Sequence, residues 1–164
     1  MAQPNGNMFL KIEGVNGESQ VDQHKGEIDV QSFSWGMTQG TSIHVGQGGG
    51  HGRVSIHDLS FTHYVDKSSP ILMLKCMNGS HFPKATLTVR KSGGDSLAFY
   101  KIIMDKVFVT SVSTGGSNSQ GDGLMETVTL TFAQVDIEYT PQSNEGGGTG
   151  VVNAGWDIQA NKAK

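Results

Sequence analysis

LMETVTLTFAQVDIEYTP, residues 124–141, alternates twice, on opposite parities. Val128, Leu130 and Phe132 are apolar at even positions, with Thr127, Thr129 and Thr131 between them. From Ala133 the apolar set is Ala133, Val135, Ile137 and Tyr139, with Gln134, Asp136 and Glu138 between. Successive side chains of a strand point to opposite faces, so a change of parity moves the buried set to the other face. A β-bulge is the usual device. The stretch therefore predicts one long strand, bulged or bent between Leu130 and Val135, that can serve two sheets.

Two other stretches repeat the pattern. In Glu27–Met37 the apolar residues are Ile28 and Val30, then Phe33 and Trp35. In Arg53–Val65 they are Val54 and Ile56, then Leu59, Phe61 and Val65. Met8, Leu10 and Ile12 mark a first strand over Met8–Glu13, closed by the turn signal Asn16-Gly17. Ala85–Arg90, Leu97–Met104, Val107–Val112 and Val151–Ile158 also read as strands. Gly93-Gly94 marks a hairpin turn, and Gly36–Gly52, Thr114–Gly123 and Ser143–Gly150 are glycine-rich loops. One helix is predicted, Ser69–Met77. Ser69 is placed as N-cap, Pro70 at the first helical position, and Asn78-Gly79 as the stop. Leu72, Met73, Cys76 and Met77 share its apolar face. The predicted fold is mainly β: a compact β-barrel or two-sheet sandwich with one short helix, one domain over residues 1–164.

Composition narrows the function. Charged residues make up only 16% and the net charge is −3. No basic block is present, which argues against nucleic acid as a partner. Cys76 is the only cysteine, so neither an internal disulfide nor a cysteine-based zinc site can form. The start, MAQPNGNMFLKIEG, lacks the basic and long apolar segments of a secretory signal. No apolar run approaches the roughly 18–20 residues of a membrane span, so no membrane insertion is expected.

Candidate chemistry is sparse. His44, His51, His57 and His63 cluster in sequence, but His57 and His63 would lie roughly 20 Å apart along one strand. No H-x-H or H-E-x-x-H spacing occurs, so they read as surface or turn residues, although a cross-strand pair of His44 with His57 stays open. Cys76 with His81 lacks an orienting third group, and Cys76 falls on the apolar helix face. Gly48-Gly49-Gly50 is followed by neither Lys-Ser/Thr nor a helix, so it is no phosphate loop. A carbohydrate-binding sandwich is the alternative reading. It needs exposed aromatics, whereas Trp35, Phe61, Phe132 and Tyr139 occupy apolar-parity, core-like positions. No catalytic residue, cofactor or metal is expected.

Taken in order, MFLKIEGVNGES, EIDVQSFSWGM, VSIHDLSFTHYVDKSSP, VTSVSTGGS, ETVTLTFAQVDIEYTPQ and GWDIQANK resemble the Hcp family. These are the haemolysin-coregulated, tube-forming proteins of bacterial type VI secretion. The resemblance covers nearly the whole chain. It implies a β-barrel with a small helix, related in fold to phage tail tubes. It implies homo-hexameric rings that stack into a hollow tube, tipped by a spike protein and driven by a contractile sheath. Small effector proteins ride in the ring, which chaperones them. The family is not enzymatic, assembles in the cytoplasm, and is secreted without a cleaved signal peptide. With Lys164 close behind the last strand, a plain tube subunit without a fused toxin domain is expected. With Phe33 and Trp35 facing the core, Ser32 and Ser34 face the other way, onto the sheet that borders the lumen in the family; both are candidate cargo contacts. The loop Gly46, Gln47, Gly48, Gly49, Gly50, His51 and Gly52 is the candidate contact with an adjacent ring.

Overall fold

The computed structural model describes residues 6–40, 52–92, 97–119, 121, 123–143, 148 and 150–164. The early strands are β1 (Met8–Ile12), β2 (Ile28–Asp29), β3 (Ser32–Ser34), β4 (Met37–Gln39), β5 (Val54–Ile56) and β6 (Leu59–Tyr64). Helix α1 (Ser69–Asn78) follows. Then come β7 (His81–Arg90), β8 (Ala98–Gly115), β9 (Met125–Tyr139), β10 (Val152–Asp157) and β11 (Lys162–Ala163). The hydrogen-bonded order is β11-β10-β9-β8-β7-β1-β2, with β6 linking β3 to β9 and β4–β5 forming a separate pair. The result is the expected mainly β, barrel-like fold with one short helix.

Each change of parity is a change of neighbour. Residues 28–34 pair first with β1 and then with β6: the Val30 N–H donates to the Met8 carbonyl at 3.0 Å, and the Gln31 N–H to the Thr62 carbonyl at 2.8 Å. Glu27–Met37 is therefore not one strand but β2, β3 and the first residue of β4. Residues 54–64 split likewise: β5 pairs with β4, whereas β6 pairs with β3 and β9. On β9 the first half pairs with β6 (Met125 to Leu130) and the second with β10 (Gln134 to Tyr139). A strand that passes from one sheet to another must turn a different face to the core at the crossing.

The flip in β9 is present, but no residue is inserted there. Buried residues run Val128, Leu130, Phe132 and then Val135. On β8 the set moves at the same level, from Met104 to Val107. Between the pairs Asp105↔Gln134 and Val107↔Phe132 sits Lys106, with φ of 53°. That left-handed residue rotates the ladder and turns both strands together. The register shift itself lies on β8, where Thr110 is the extra residue between Val109↔Leu130 and Ser111↔Thr129. The bulge predicted on β9 is thus carried by its partner. A Cβ-branched side chain tolerates this backbone poorly. Lys106→Val should cost about 1–2 kcal/mol while Lys106→Gly stays within about 0.5 kcal/mol of the native chain, measured by urea unfolding.

Leu97–Met104 and Val107–Val112, read as two strands, form the single 18-residue β8, which also extends to Gly115 and shortens the expected loop. The turn expected at Gly93-Gly94 lies outside the described residues. The helix is close to prediction, but its N-cap is Ser68, not Ser69, and Met77, expected on its apolar face, is 78% exposed. The Asp66 carboxylate accepts from the Ser68 N–H at 2.8 Å and from its hydroxyl, and Ser69 Oγ accepts the Asp66 N–H at 3.1 Å. Gly79, with φ of 70°, ends the helix by donating its N–H to the Lys75 carbonyl. Leu72 anchors α1 and is fully buried.

The core is assembled in cross-strand rows: Phe33, Phe61, Val128 and Val112 in one, and Leu10, Leu87, Ile102 and Ile137 in another. Tyr139, expected in the core, is 45% exposed. It lies at the end of β9, beyond the last buried row. His63, read as a surface residue, is fully buried. It shares the parity of Leu59 and Phe61 on β6, and that face is the core face.

Candidate functional site

The residues that alternate with the first core row make up a different surface. Opposite Phe33, Phe61, Val128 and Val112 stand two rows of hydroxyls. One row is Ser34, Ser60, Thr129 and Ser111; the other is Ser32, Thr62, Thr127 and Ser113. Eight serines and threonines from four adjacent strands thus cover one sheet face, with no charged or aromatic side chain among them. Ser32 and Ser34 are exposed, as predicted, and they belong to this wall.

The wall has internal order. Ser32 Oγ and Thr62 Oγ1 are 2.6 Å apart, and Ser111 Oγ and Thr129 Oγ1 are 2.8 Å apart. The extra residue Thr110 closes its upper margin, 2.6 Å from Thr129 Oγ1 and donating to Asp58 Oδ2 at 2.7 Å. Cross-strand hydroxyl pairs of this kind are favourable in antiparallel sheets. A hydroxyl can donate or accept, and five of the eight residues are exposed. Such a surface can wet many partners and imposes no charge on them.

The outer face of the other half of the barrel is built from charges. Lys84 Nζ lies 3.8 Å from Asp105, and Lys164 Nζ bridges Asp105 at 3.8 Å and Asp136. The hydrogen bond to the Asp136 carboxylate raises the pKa of Lys164. Exposed pairs like these add little stability, so their meaning is electrostatic: the two faces differ in character.

Of the loop Gly46–Gly52, residues 46–51 lie outside the described residues. Gly52 sits at the base of the β4–β5 hairpin, where a Cβ would stand 2.3 Å from the Gly40 carbonyl oxygen. Two backbones meet there, and only glycine leaves room. His44 also lies outside the described residues. Among the described residues no group of three or more His, Cys, Asp or Glu is arranged to hold a metal ion, and no helix is long and apolar enough to cross a membrane. Trp35 and Trp156 share a groove of about 310 Å³ with Met37, Val54, Ile56 and Val135. Its lining is mainly apolar, and the Trp35 indole N–H already donates to the His57 carbonyl at 2.9 Å.

Ser60, Thr62, Thr127, Thr129, Ser111 and Ser113 were not singled out by sequence. Their signal was present, since the Thr positions alternate with the buried residues of 124–141. What the alternation lacks is the identity of the neighbouring strands.

Comparison with known proteins bears on the family and the fold. Residues 9–139 match the family described as "Type VI secretion system effector, Hcp". The protein hcp1 of Pseudomonas aeruginosa is 52% identical over 156 residues, covering 94% of this chain and 96% of its own length. A solved type six secretion system protein superposes with a TM-score of 0.90 at 31% identity, covering 96% of this chain and 98% of its own. Hcp1 from Salmonella typhimurium gives 0.77 at 38% identity, with coverages of 96% and 98%. The chain belongs to the Hcp family of type VI secretion proteins.

Proposed function

We propose that this chain is the tube subunit of a type VI secretion system. Six copies close into a ring, the hydroxyl wall faces the lumen, and rings stack into a hollow tube. The observation that carries this reading is the wall itself: eight uncharged hydroxyl residues over four strands, on a barrel whose other outer face is charged. A lumen that must pass and chaperone different small effectors needs weak, adaptable contacts. Ser32 and Ser34 are the cargo contacts in this scheme, and Gly46–Gly52 touches the adjacent ring. The charged outer side is available to the contractile sheath, and the stack to a spike-tip protein. Assembly takes place in the cytoplasm, and export needs no cleaved signal peptide.

Native mass spectrometry tests the ring: a species of six times the 17.5 kDa chain is expected, and a monomer at micromolar concentration overturns it. Ser34→Arg tests the wall. A long cation projecting from this position should abolish effector co-purification while the ring mass persists. Unchanged co-purification would remove Ser34 from the contact. Deleting Gly48–Gly50 should shorten stacked tubes in electron micrographs and leave single rings intact.

A further inference from the structure

Behind the wall, on the core side of the same two strands, His63 of β6 pairs directly with Glu126 of β9. Both side chains are fully buried. The imidazole Nε2 lies 3.5 Å from Glu126 Oε1, and Nδ1 lies 3.9 Å from Asp66 Oδ1. Neither ring nitrogen and neither Glu126 oxygen has a hydrogen-bond partner among the described residues. The Phe61 ring, 5.5 Å away, walls one side. Two carboxylates therefore flank one buried imidazole. A charge in such a cluster is tolerable only while an opposite charge stands beside it, because a buried charge that loses its partner keeps its full desolvation cost.

We propose that His63, Glu126 and Asp66 form an acid-sensitive latch across the β6–β9 seam. Acid neutralises the carboxylates, leaves a protonated imidazole in the core without a counter-charge, and opens the seam. Asp66 is also the residue that accepts from Ser68 at the start of α1, so the latch reaches the helix. The seam carries Ser60, Thr62, Thr127 and Thr129, four of the eight wall residues. Loss of cargo grip in acid follows if the wall has the role proposed above; the latch itself rests on the fold alone.

The neighbouring charges define the background. Asp66 shares a cleft of about 470 Å³ with Glu18, Asp29, Tyr64 and Lys67. Burial, and less strongly the like charge of Asp66, raises the pKa of Asp29 against the lowering effect of its Ser19 hydrogen bond. A carboxyl whose folded pKa is raised costs stability at neutral pH, and that cost fades as pH falls. Asp29 thus works against the latch, so an acid loss that exceeds its effect is informative.

The test compares the native chain with the double variant His63→Leu/Glu126→Leu, which keeps the volume and removes both titratable side chains while leaving Asp29 in place. Between pH 7.5 and pH 4.5 the native Tm should fall by about 10 °C more than that of the double variant. Equal falls overturn the latch. Should the double variant not fold, hydrogen exchange on the native chain decides. Corrected for intrinsic rates, amide protection at residues 60–64 and 125–129 should drop at least about tenfold more in acid than at residues 86–88 of β7. A uniform loss overturns the proposal.

Discussion

Phe61→Ala is expected to lower the unfolding free energy by about 3–5 kcal/mol, the range for deleting a buried aromatic. Phe61 is fully buried in the middle of β6 and stands between Phe33 and Val128 in the cross-strand row. It also walls the His63 cluster. Truncation would leave a cavity bordered by three strands already fixed by their own pairing, so little collapse is available to fill it. A domain of this size has only about 5–15 kcal/mol to lose. Urea unfolding followed by far-ultraviolet circular dichroism measures the loss, with the m-value unchanged. Phe61→Leu, which keeps most of the volume, should cost less than half as much. A loss below about 1 kcal/mol for the alanine variant would mean that this row is not the centre of the core.

Gly17→Ala is expected to cost about 2–3 kcal/mol, for a reason of space. A Cβ at Gly17 would stand 2.4 Å from the Glu27 carbonyl oxygen and 2.7 Å from the Ile28 nitrogen. Both are backbone atoms and cannot swing aside as a side-chain tip would. The approach is held by the Gly17 N–H, which donates to Gly26 O at 2.8 Å, and the Ser19 N–H, which donates to Glu27 O at 2.9 Å. Relief would push β2 away from β1 and lift the buried Ile28 from the core. Gly14→Ala is the control. Its φ of +86° strains an alanine, but nothing lies within 4 Å of the new methyl, so about 1–2 kcal/mol is expected. If the two variants are equally stable in urea unfolding, the close approach at Gly17 does not constrain the fold.

Much of the architecture was legible because faces are a local property. The three parity changes, the helix ends at Pro70 and Gly79, and the outward direction of Ser32 and Ser34 follow from residue order. What was misread is non-local. Leu97–Met104 and Val107–Val112 looked like two strands because Asp105 and Lys106 interrupt the apolar pattern; pairing with β9 on both sides keeps β8 continuous. Glu27–Met37 looked like one strand because nothing in the sequence marks the change of neighbour at Gln31. Tyr139 kept the right parity yet ran past the end of the core.

The sequence by itself determined which face each side chain turns and where those faces switch, because a strand has a period of two whatever it pairs with. It also carried enough of its family's motifs, from MFLKIEG to GWDIQANK, to place the chain among the Hcp proteins. Only the tertiary structure decided which strands lie side by side. That adjacency turns scattered Ser and Thr residues into one wall. It brings His63 against Glu126 across sixty-three positions of chain, and it puts the extra residue of the long ladder on β8 instead of β9. The reason is that hydrogen-bonded pairing joins residues distant in sequence, and an alternating pattern specifies the faces it offers but not the strand that will meet them.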